Sequence, residues 1–288
     1  MKAKRLRVAA VQMRFAPEIA TNLETMDRLL AEARRKRVDA VLFPECATTG
    51  YRYNFARLSP KDARAAVEEL GGMAARYKIN VLAGAPLFRR KKLYNTLVVF
   101  NRRGELVHCY AKCQLTDLDR RHFTRGNAVA LFQIDGIWAT AIICHERRYP
   151  ELVRLAAMAG AQILFHPNAG LDSLAVSRKK RNGHDGIPVR AFENAIHYVF
   201  ANSFGPQGGG LWSAGDSKIV SANGEFLNLA KHDKETVVVA DLDLSLATRR
   251  YARESMEHPR FLAEEWKRMI KLVKKRASRQ AKKFLAGI

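Results

Sequence analysis

Short apolar runs alternate with segments of helical periodicity, and this alternation constrains the fold more than any other feature of the sequence. Arg7–Met13 and Ala40–Phe43 have the composition of buried strands. Between them, Thr21–Arg35 places its apolar residues at helical spacing. Because strands joined through a helix form a sheet that the helix covers, the pattern predicts an α/β protein.

The same order continues along the chain. Asp135-Gly136, a strong hairpin signal, separates the apolar runs Val129–Ile134 and Trp138–Ile143. The other predicted elements are helices over Lys61–Tyr77, Glu151–Ala159 and Val189–Ala195, and strands over Asn80–Ala85, Asn95–Phe100, Leu106–Tyr110, Gln162–Phe165, Tyr198–Asn202, Ser217–Ser221 and Val237–Leu242. Hairpins among helices indicate mixed sheets inside and helices outside. Gly205–Gly210 lacks the lysine of a phosphate loop and is expected to be a flexible loop.

Apolar content and cysteine spacing narrow the class of protein. No apolar run reaches the roughly 18 residues that a membrane-spanning helix needs, and Met1–Leu6 is not followed by the apolar core of a signal peptide. We therefore expect a soluble, cytoplasmic protein. Cys46, Cys109, Cys113 and Cys144 show neither CxxC nor zinc-finger spacing, which disfavours a disulfide framework and a structural metal site.

The formal net charge is +22, with basic clusters at Arg34–Arg37, Arg89–Lys92 and Arg178–Arg181. Such a charge attracts nucleic acid and anionic membranes. A solvated basic surface is the alternative, and we favour it because the clusters lack interleaved aromatic residues.

The C-terminal tail, residues 261–288, differs from the domain expected over residues 1–260. It carries basic residues opposite an apolar helical face, which consists of Leu262, Trp266, Met269, Ile270, Val273 and Ala277. This face is expected either to dock on a partner subunit, which we favour, or to lie on a membrane surface.

Cys144 is the strongest candidate for chemistry. It ends a predicted strand just before a helix, where open α/β folds present reactive groups and where the helix dipole is expected to lower the pKa of a thiol. Position alone still favours a buried structural cysteine.

Three motifs favour a catalytic role for Cys144 over a structural one. The segment 141–151, AIICHERRYPE, resembles the nucleophile segment of the nitrilase, or carbon–nitrogen hydrolase, superfamily. The segments 42–51, LFPECATTGY, and 110–117, YAKCQLTD, resemble the glutamate and lysine motifs of the same superfamily, in its order. With later segments the resemblance extends over about Arg7 to Asp243.

The resemblance implies a four-layer α-β-β-α sandwich, a homodimer or higher homo-oligomer, and no metal or organic cofactor. It also implies roles for three residues in hydrolysis through a thioester. Cys144 is the nucleophile, Glu45 is the general base, and Lys112 stabilises the oxyanion together with the backbone N–H of His145.

Four further residues are expected to support the site or to bind substrate: Asp119, His145, Arg147 and Asn168. Asp119 stands where the superfamily often has a second glutamate, and its shorter side chain is a departure. Arg147 resembles the arginine with which N-carbamoyl-amino-acid hydrolases hold a substrate carboxylate.

The function predicted is hydrolysis of a small amide or N-carbamoyl compound, with a nitrile less favoured. The alternative is a protein that binds polyanions or membrane surfaces and whose hydrolase site is vestigial.

Overall fold

The computed structural model describes residues 5–179, 186–230 and 234–285. Part of the basic cluster Arg178–Arg181 therefore lies outside the described residues. The strands are, in chain order, β1 (Arg5–Gln12), β2 (Ala40–Leu42), β3 (Asn80–Arg89), β4 (Lys92–Phe100), β5 (Leu106–Ala111), β6 (Phe132–Ile134), β7 (Ile137–Ala141), β8 (Ile163–Asn168), β9 (Asp172–Ser173), β10 (His197–Asn202), β11 (Phe204–Gly208), β12 (Leu211–Ala214), β13 (Lys218–Val220), β14 (Phe226–Leu229) and β15 (Thr236–Asp243). The α-helices are α1 (Ile19–Arg35), α2 (Pro60–Tyr77), α3 (Asp117–Arg120), α4 (Pro150–Ala159), α5 (Leu174–Lys179), α6 (Ile187–Phe192), α7 (Arg250–Glu254) and α8 (Arg260–Leu285).

Two six-stranded sheets form the centre of the protein, with strand orders β15-β1-β2-β3-β4-β5 and β14-β13-β10-β8-β7-β6. Strands that follow one another through a helix are parallel, as in β1-β2-β3 and β7-β8-β10. The outer strands of both sheets are antiparallel. The prediction of mixed sheets is confirmed, and Asp135-Gly136 does connect β6 to β7, with φ angles of 48° and 77°.

The layers follow from alternation along each strand. In β1, Val8 and Ala10 face the apolar core between the two sheets, whereas Ala9 and Val11 face α1 and α2. On the far side of the second sheet, α4 and α6 pack with Leu164 in a third apolar cluster. Four layers result, and the predicted α-β-β-α sandwich is confirmed.

A small third sheet with the order β11-β12-β9 was not predicted. β11 and β12 pair as an antiparallel hairpin, so the expectation that Gly205–Gly210 is a flexible loop is wrong. The hairpin turns at Gly208, Gly209 and Gly210, whose φ angles are 79°, 59° and 72°. Residues with side chains rarely adopt such angles, and the glycines therefore serve the turn.

Helix α8 contains most of the predicted amphipathic tail and packs on its own chain. Its neighbours are β5, at the edge of the first sheet, and α4. Ile270, Val273, Ala277 and Phe284 are buried there, whereas Met269 is 40% exposed. The apolar face that was expected to dock on a partner subunit thus meets the same polypeptide. None of the described helices is long and apolar enough to cross a membrane.

Candidate active site

Three segments that follow strands bring Glu45, Lys112 and Cys144 together. Glu45 comes three residues after β2, Lys112 directly follows β5, and Cys144 begins a 3₁₀ helix, Cys144–Arg148. Glu45 and Lys112 are fully buried. Cys144 lines a cavity of about 370 Å³, a volume that suits a small molecule.

Two glycines allow the close backbone approaches that place these segments. A Cβ atom on Gly84 would lie 2.4 Å from the carbonyl oxygen of Pro44, the neighbour of the candidate base. A Cβ atom on Gly126 would lie 2.0 Å from the carbonyl oxygen of Ala111. The N–H of Gly126 donates a hydrogen bond of 2.8 Å to the carbonyl of Lys112. Any side chain at either position would displace a catalytic candidate.

Glu45 collects hydrogen bonds from separate parts of the fold. Its Oε1 accepts from Lys112 Nζ at 2.7 Å and from Asn95 Nδ2 at 2.8 Å, and its Oε2 accepts from the N–H of Ala169 at 3.2 Å. The carboxylate is also a hydrogen-bond partner of the Cys144 thiol. Burial raises the pKa of Glu45 above its ordinary value. The group is thus suited to accept a proton.

Lys112 lies between two carboxylates. Its Nζ is 2.7 Å from Glu45 Oε1 and 2.8 Å from Asp119 Oδ2. Burial opposes the charge, but the carboxylates of Glu45 and Asp119 outweigh it and raise the pKa of Lys112 well above its ordinary value. Lys112 therefore remains an ammonium ion inside the protein.

Asp119 reaches Lys112 because a capping box at the start of α3 holds its side chain. Oδ2 accepts from the N–H of Thr116 at 2.9 Å, and the N–H of Asp119 donates to Thr116 Oγ1 at 3.0 Å. Tyr51 donates its hydroxyl to Oδ1 at 2.7 Å. Burial opposes ionisation, but Lys112 prevails and lowers the pKa of Asp119. Of the two carboxylates, Asp119 keeps its charge and Glu45 more readily takes up a proton.

The backbone of Cys144 adopts a left-handed conformation with φ of 51°, which is uncommon for a residue with a side chain. Its carbonyl is 3.1 Å from His166 Nε2, and the Tyr198 hydroxyl is 2.7 Å from Nδ1 of the same ring. Because a carbonyl only accepts, Nε2 carries the proton and Nδ1 accepts from Tyr198. Burial lowers the pKa of His166 well below its ordinary value. The imidazole ring that holds the carbonyl of Cys144 is therefore neutral.

The thiol itself does not follow the expectation from the helix dipole. Burial, and then the charge of Glu45, raise the pKa of Cys144 to about 12. The predicted lowering is wrong because the partly buried thiol lies beside two carboxylates, Glu45 and Asp119, and one short helical turn does not compensate. At rest Cys144 is a thiol that is hydrogen-bonded to its candidate base.

Glu146 joins the two segments that carry Lys112 and Cys144. Its Oε1 accepts from the N–H groups of Cys113 at 2.6 Å and Gln114 at 3.0 Å, and its Oε2 accepts from the N–H of Ile143 at 2.7 Å. The Tyr110 hydroxyl lies 2.9 Å from both oxygens. The sequence did not predict this positioning role for Glu146, which stands two residues after the candidate nucleophile.

The other supporting candidates line the cavity. His145 and Arg147 belong to the 3₁₀ helix, and His145 packs against Tyr149 with ring centroids 5.6 Å apart. Asn168, at the end of β8, donates to Asn202 Oδ1 at 2.9 Å. The structure therefore brings all four supporting candidates to the same site.

Besides Glu146 and His166, the polar residues Tyr51, Asn95 and Asn202 of the site were not predicted. Tyr51 ends the quoted glutamate motif, which was the available signal. Asn95 lies in β4 and Asn202 ends β10, and a single asparagine in a strand pattern carries no indication of its partner.

The wall of the cavity includes Arg147, Arg148, Asp172 and Asp216. Asp216 Oδ2 is 2.7 Å from the Nζ of Lys218, which is fully buried. With Lys218 counted against Asp216, the wall has an excess of positive charge. Within the described residues, no group of three or more His, Cys, Asp or Glu side chains is placed to hold a metal ion.

Comparisons with known proteins point to one protein family. The model of the carbon–nitrogen hydrolase family matches residues 7–251. A probable nitrilase of Schizosaccharomyces pombe is 28% identical over 82% of this chain and 88% of its own length. A 2-oxoglutaramate amidase of Bacillus subtilis is 29% identical over 74% of this chain and 81% of its own. A variant of an amidase from Nesterenkonia sp. AN1, with acrylamide added at its active-site cysteine, is similar in structure, with a TM-score of 0.78, 26% identity, and coverage of 91% of this chain and 99% of that one.

Proposed function

Because this chain belongs to the carbon–nitrogen hydrolase family, we propose that it hydrolyses a small amide that carries a carboxylate, with Cys144 as the nucleophile. The observation that carries the proposal is a buried carboxylate and a buried ammonium that lie beside a thiol lining the cavity. The similarity to 2-oxoglutaramate and Nesterenkonia amidases supports the amide as the bond that is cleaved.

The first half of the reaction forms a thioester. Glu45 takes the thiol proton as Cys144 Sγ attacks the amide carbon, which yields a tetrahedral intermediate with a negative oxygen. Two of the three N–H bonds of Lys112 point to carboxylates, and the third is assigned to this oxygen. Glu45 then gives its proton to the nitrogen, ammonia leaves, and the acyl group remains on sulfur.

The second half releases the product. Glu45, again a carboxylate, removes a proton from water as the water attacks the thioester. Lys112 stabilises the second tetrahedral intermediate as it did the first. When the C–S bond breaks, Glu45 returns its proton to the sulfur of Cys144, which restores the resting state. Atoms balance with amide and water as reactants and acid and ammonia as products.

The carboxylate on the substrate is inferred from the cavity wall. Arg147 and Arg148 line the cavity and form no ion pair with any described residue, whereas Asp216 is paired with Lys218. A guanidinium holds a carboxylate through two parallel hydrogen bonds. An ω-amide of a short acid, or an N-carbamoyl amino acid, presents the two required ends: a carbonyl–nitrogen bond at Cys144 and a carboxylate at Arg147.

Ammonia release from matched compounds tests this proposal. The panel contains ω-amides of short acids, N-carbamoyl amino acids, neutral amides and nitriles, and it compares the wild type with Cys144→Ala. We expect the ω-amides to react fastest and the variant to lose at least about 10⁴-fold in kcat/KM, as other enzymes do without their nucleophile. Cys46→Ala is the matched control, since Cys46 is a buried neighbouring thiol that has no role in the proposed reaction.

The possible results separate the functions. If N-carbamoyl compounds react faster, the bond that is cleaved belongs to a ureido group rather than to an amide, and the assignment of the nucleophile is unchanged. Failure of every compound with a folded protein, together with a thiol at Cys144 that resists alkylation, would overturn the proposed activity in favour of the polyanion-binding alternative.

A further inference from the structure

A second cavity, of about 330 Å³, lies under α8 beside the end of the first sheet and shares no lining residue with the candidate active site. We call it the basic cavity. It is lined by six cationic side chains, namely Arg89, Arg125, Lys275, Arg276, Arg279 and Lys283. No described carboxylate lines it. Its volume is in the range of small-molecule sites.

The helical period explains why these charges converge. Lys275, Arg276, Arg279 and Lys283 lie at spacings of one, three and four residues, so they share one face of α8. The adjacent face, with Val273, is buried against the domain. Burial of this apolar face fixes the rotation of α8 and turns the four cations toward the cavity.

The four cations with which α8 lines the basic cavity form no ion pair with any described residue. The acidic residues of the helix, Glu264 and Glu265, lie near its start and pair with Lys267 and Arg268 at 2.7 Å. Like charges held this close repel one another, which destabilises the helix unless an anion neutralises them.

The floor of the basic cavity is ordered. Phe284 is 4% exposed, its ring centroid lies 5.4 Å from that of Tyr94, and the guanidinium of Arg89 lies 5.7 Å from it. Arg125 donates through Nη1 to the carbonyl of Cys113 at 3.2 Å. These contacts fix two of the six cations at defined positions.

Gln280 adds an unpaired hydrogen-bond donor to the basic cavity. Nε2 of Gln280, which also lines the basic cavity, is buried and makes no hydrogen bond with any described residue. A buried donor that loses its hydrogen bonds to water is destabilising unless it is paired, and native structures rarely leave one unpaired. A ligand that is rich in acceptor oxygens would satisfy it.

We propose that the basic cavity binds a short oligophosphate, either free or as part of a nucleotide. Its oxygens would meet the guanidinium and ammonium groups of α8 and the amide of Gln280. A membrane is disfavoured as the source of phosphate, because the apolar face of α8, including Val273 and Ala277, is already buried. A long nucleic acid is disfavoured because the charges surround a concavity, although it remains an outcome of the test.

Calorimetric titration of the full chain with inorganic triphosphate tests the proposal. We compare the wild type with the double variant Arg276→Gln/Arg279→Gln and with Lys271→Gln/Lys274→Gln. Both double variants remove two exposed charges from α8, but only the first pair lines the basic cavity. We expect Kd for triphosphate to rise at least tenfold in the first variant and less than twofold in the second. A Gln280→Leu variant should also weaken binding, by about threefold or more.

Other probes distinguish the sources of phosphate. Equal affinity for inorganic triphosphate and for ATP would assign recognition to the phosphates alone, and tighter binding of ATP would assign it to a nucleotide. If both double variants weaken triphosphate binding equally, the attraction is unspecific and the proposed site is overturned. The same holds if sulfate and phosphate bind in the same millimolar range as triphosphate. Tight binding of a single-stranded RNA that both double variants weaken equally would do the same. None of these results depends on hydrolase activity.

Discussion

Asp119 Oδ2 lies 2.8 Å from Lys112 Nζ, although aspartate is one methylene shorter than the glutamate common at this place in the superfamily. The capping box at the start of α3 moves the carboxylate close enough, and Tyr51 holds its other oxygen. The shorter side chain therefore keeps the contact with Lys112. With Asp119 as the lasting counter-ion, Glu45 is free to exchange protons.

Replacing Asp119 with asparagine tests whether Asp119 keeps its negative charge so that Glu45 can exchange protons. Without the charge of Asp119, Lys112 pairs more closely with Glu45. Glu45 then stays ionised and is a weaker base. We expect kcat to fall roughly 10- to 100-fold, or about 1.4–2.7 kcal/mol, with KM little changed. The control is Asp117→Asn on the same helix, because Asp117 is almost fully exposed and pairs only with Arg120 among described residues. Unchanged kcat in Asp119→Asn would contradict the assigned role.

Glu146→Gln should act on folding as well as on rate. The carboxylate accepts three backbone N–H groups and the Tyr110 hydroxyl, and an amide offers one oxygen where two are needed. Its NH₂ group would face donors, so we expect a loss of about 2–4 kcal/mol in the free energy of unfolding, measured by denaturant titration. Glu151→Gln, at an exposed site on α4, is the control and should change it by less than about 0.5 kcal/mol.

Local signals in the sequence were sufficient for much of the fold. Asp135-Gly136 predicted its hairpin because both residues tolerate positive φ, and the helix over Lys61–Tyr77 was predicted one residue short because its period is regular. The hairpin formed by β11 and β12 was missed, since β11 contains two glycines and a proline and β12 has only four residues, so neither shows the alternation of side chains that identifies strands.

For the site, the sequence motifs identified residues but not their environments. Glu45, Lys112 and Cys144 were found as candidates, whereas the raised pKa of Cys144 depends on burial beside Glu45, which is 99 residues away in the chain. Asn95 was missed for the same reason. It donates a hydrogen bond to Glu45, and no local sequence pattern predicts that contact.

Arg147→Gln tests the substrate carboxylate. If Arg147 binds that group with two charge-assisted hydrogen bonds, its loss should raise KM for an ω-amide acid by about 10- to 100-fold. The neutral amide of the same chain length serves as the matched substrate, and its kinetics should change less than about threefold. A similar change for both substrates would show that Arg147 supports the 3₁₀ helix rather than recognising a carboxylate.

The pH dependence of kcat/KM follows from the three groups at the centre of the site. The active form requires Glu45 as a carboxylate, Cys144 as a thiol and Lys112 as an ammonium ion. Burial raises the pKa of Glu45 above its ordinary value, so activity is present above this raised pKa and is lost as the pH falls through it. The pKa of Cys144 is raised to about 12 and that of Lys112 is raised as well. We therefore expect one acidic limb with an apparent pKa that belongs to the coupled cluster, and a plateau to about pH 10.

The alkaline side of this profile separates two kinds of thiol catalysis. An enzyme that stores a thiolate shows a thiol titrating below about pH 8, whereas here the proton leaves sulfur only during attack. Alkylation of Cys144 by iodoacetamide measures the same property without substrate. In the wild type its rate should follow the acidic limb set by Glu45, and in Glu45→Gln it should stay low until the pH approaches the raised pKa of the thiol. A fall in kcat/KM between about pH 8 and 10, or fast alkylation of Glu45→Gln at neutral pH, would mean that Cys144 ionises independently of Glu45.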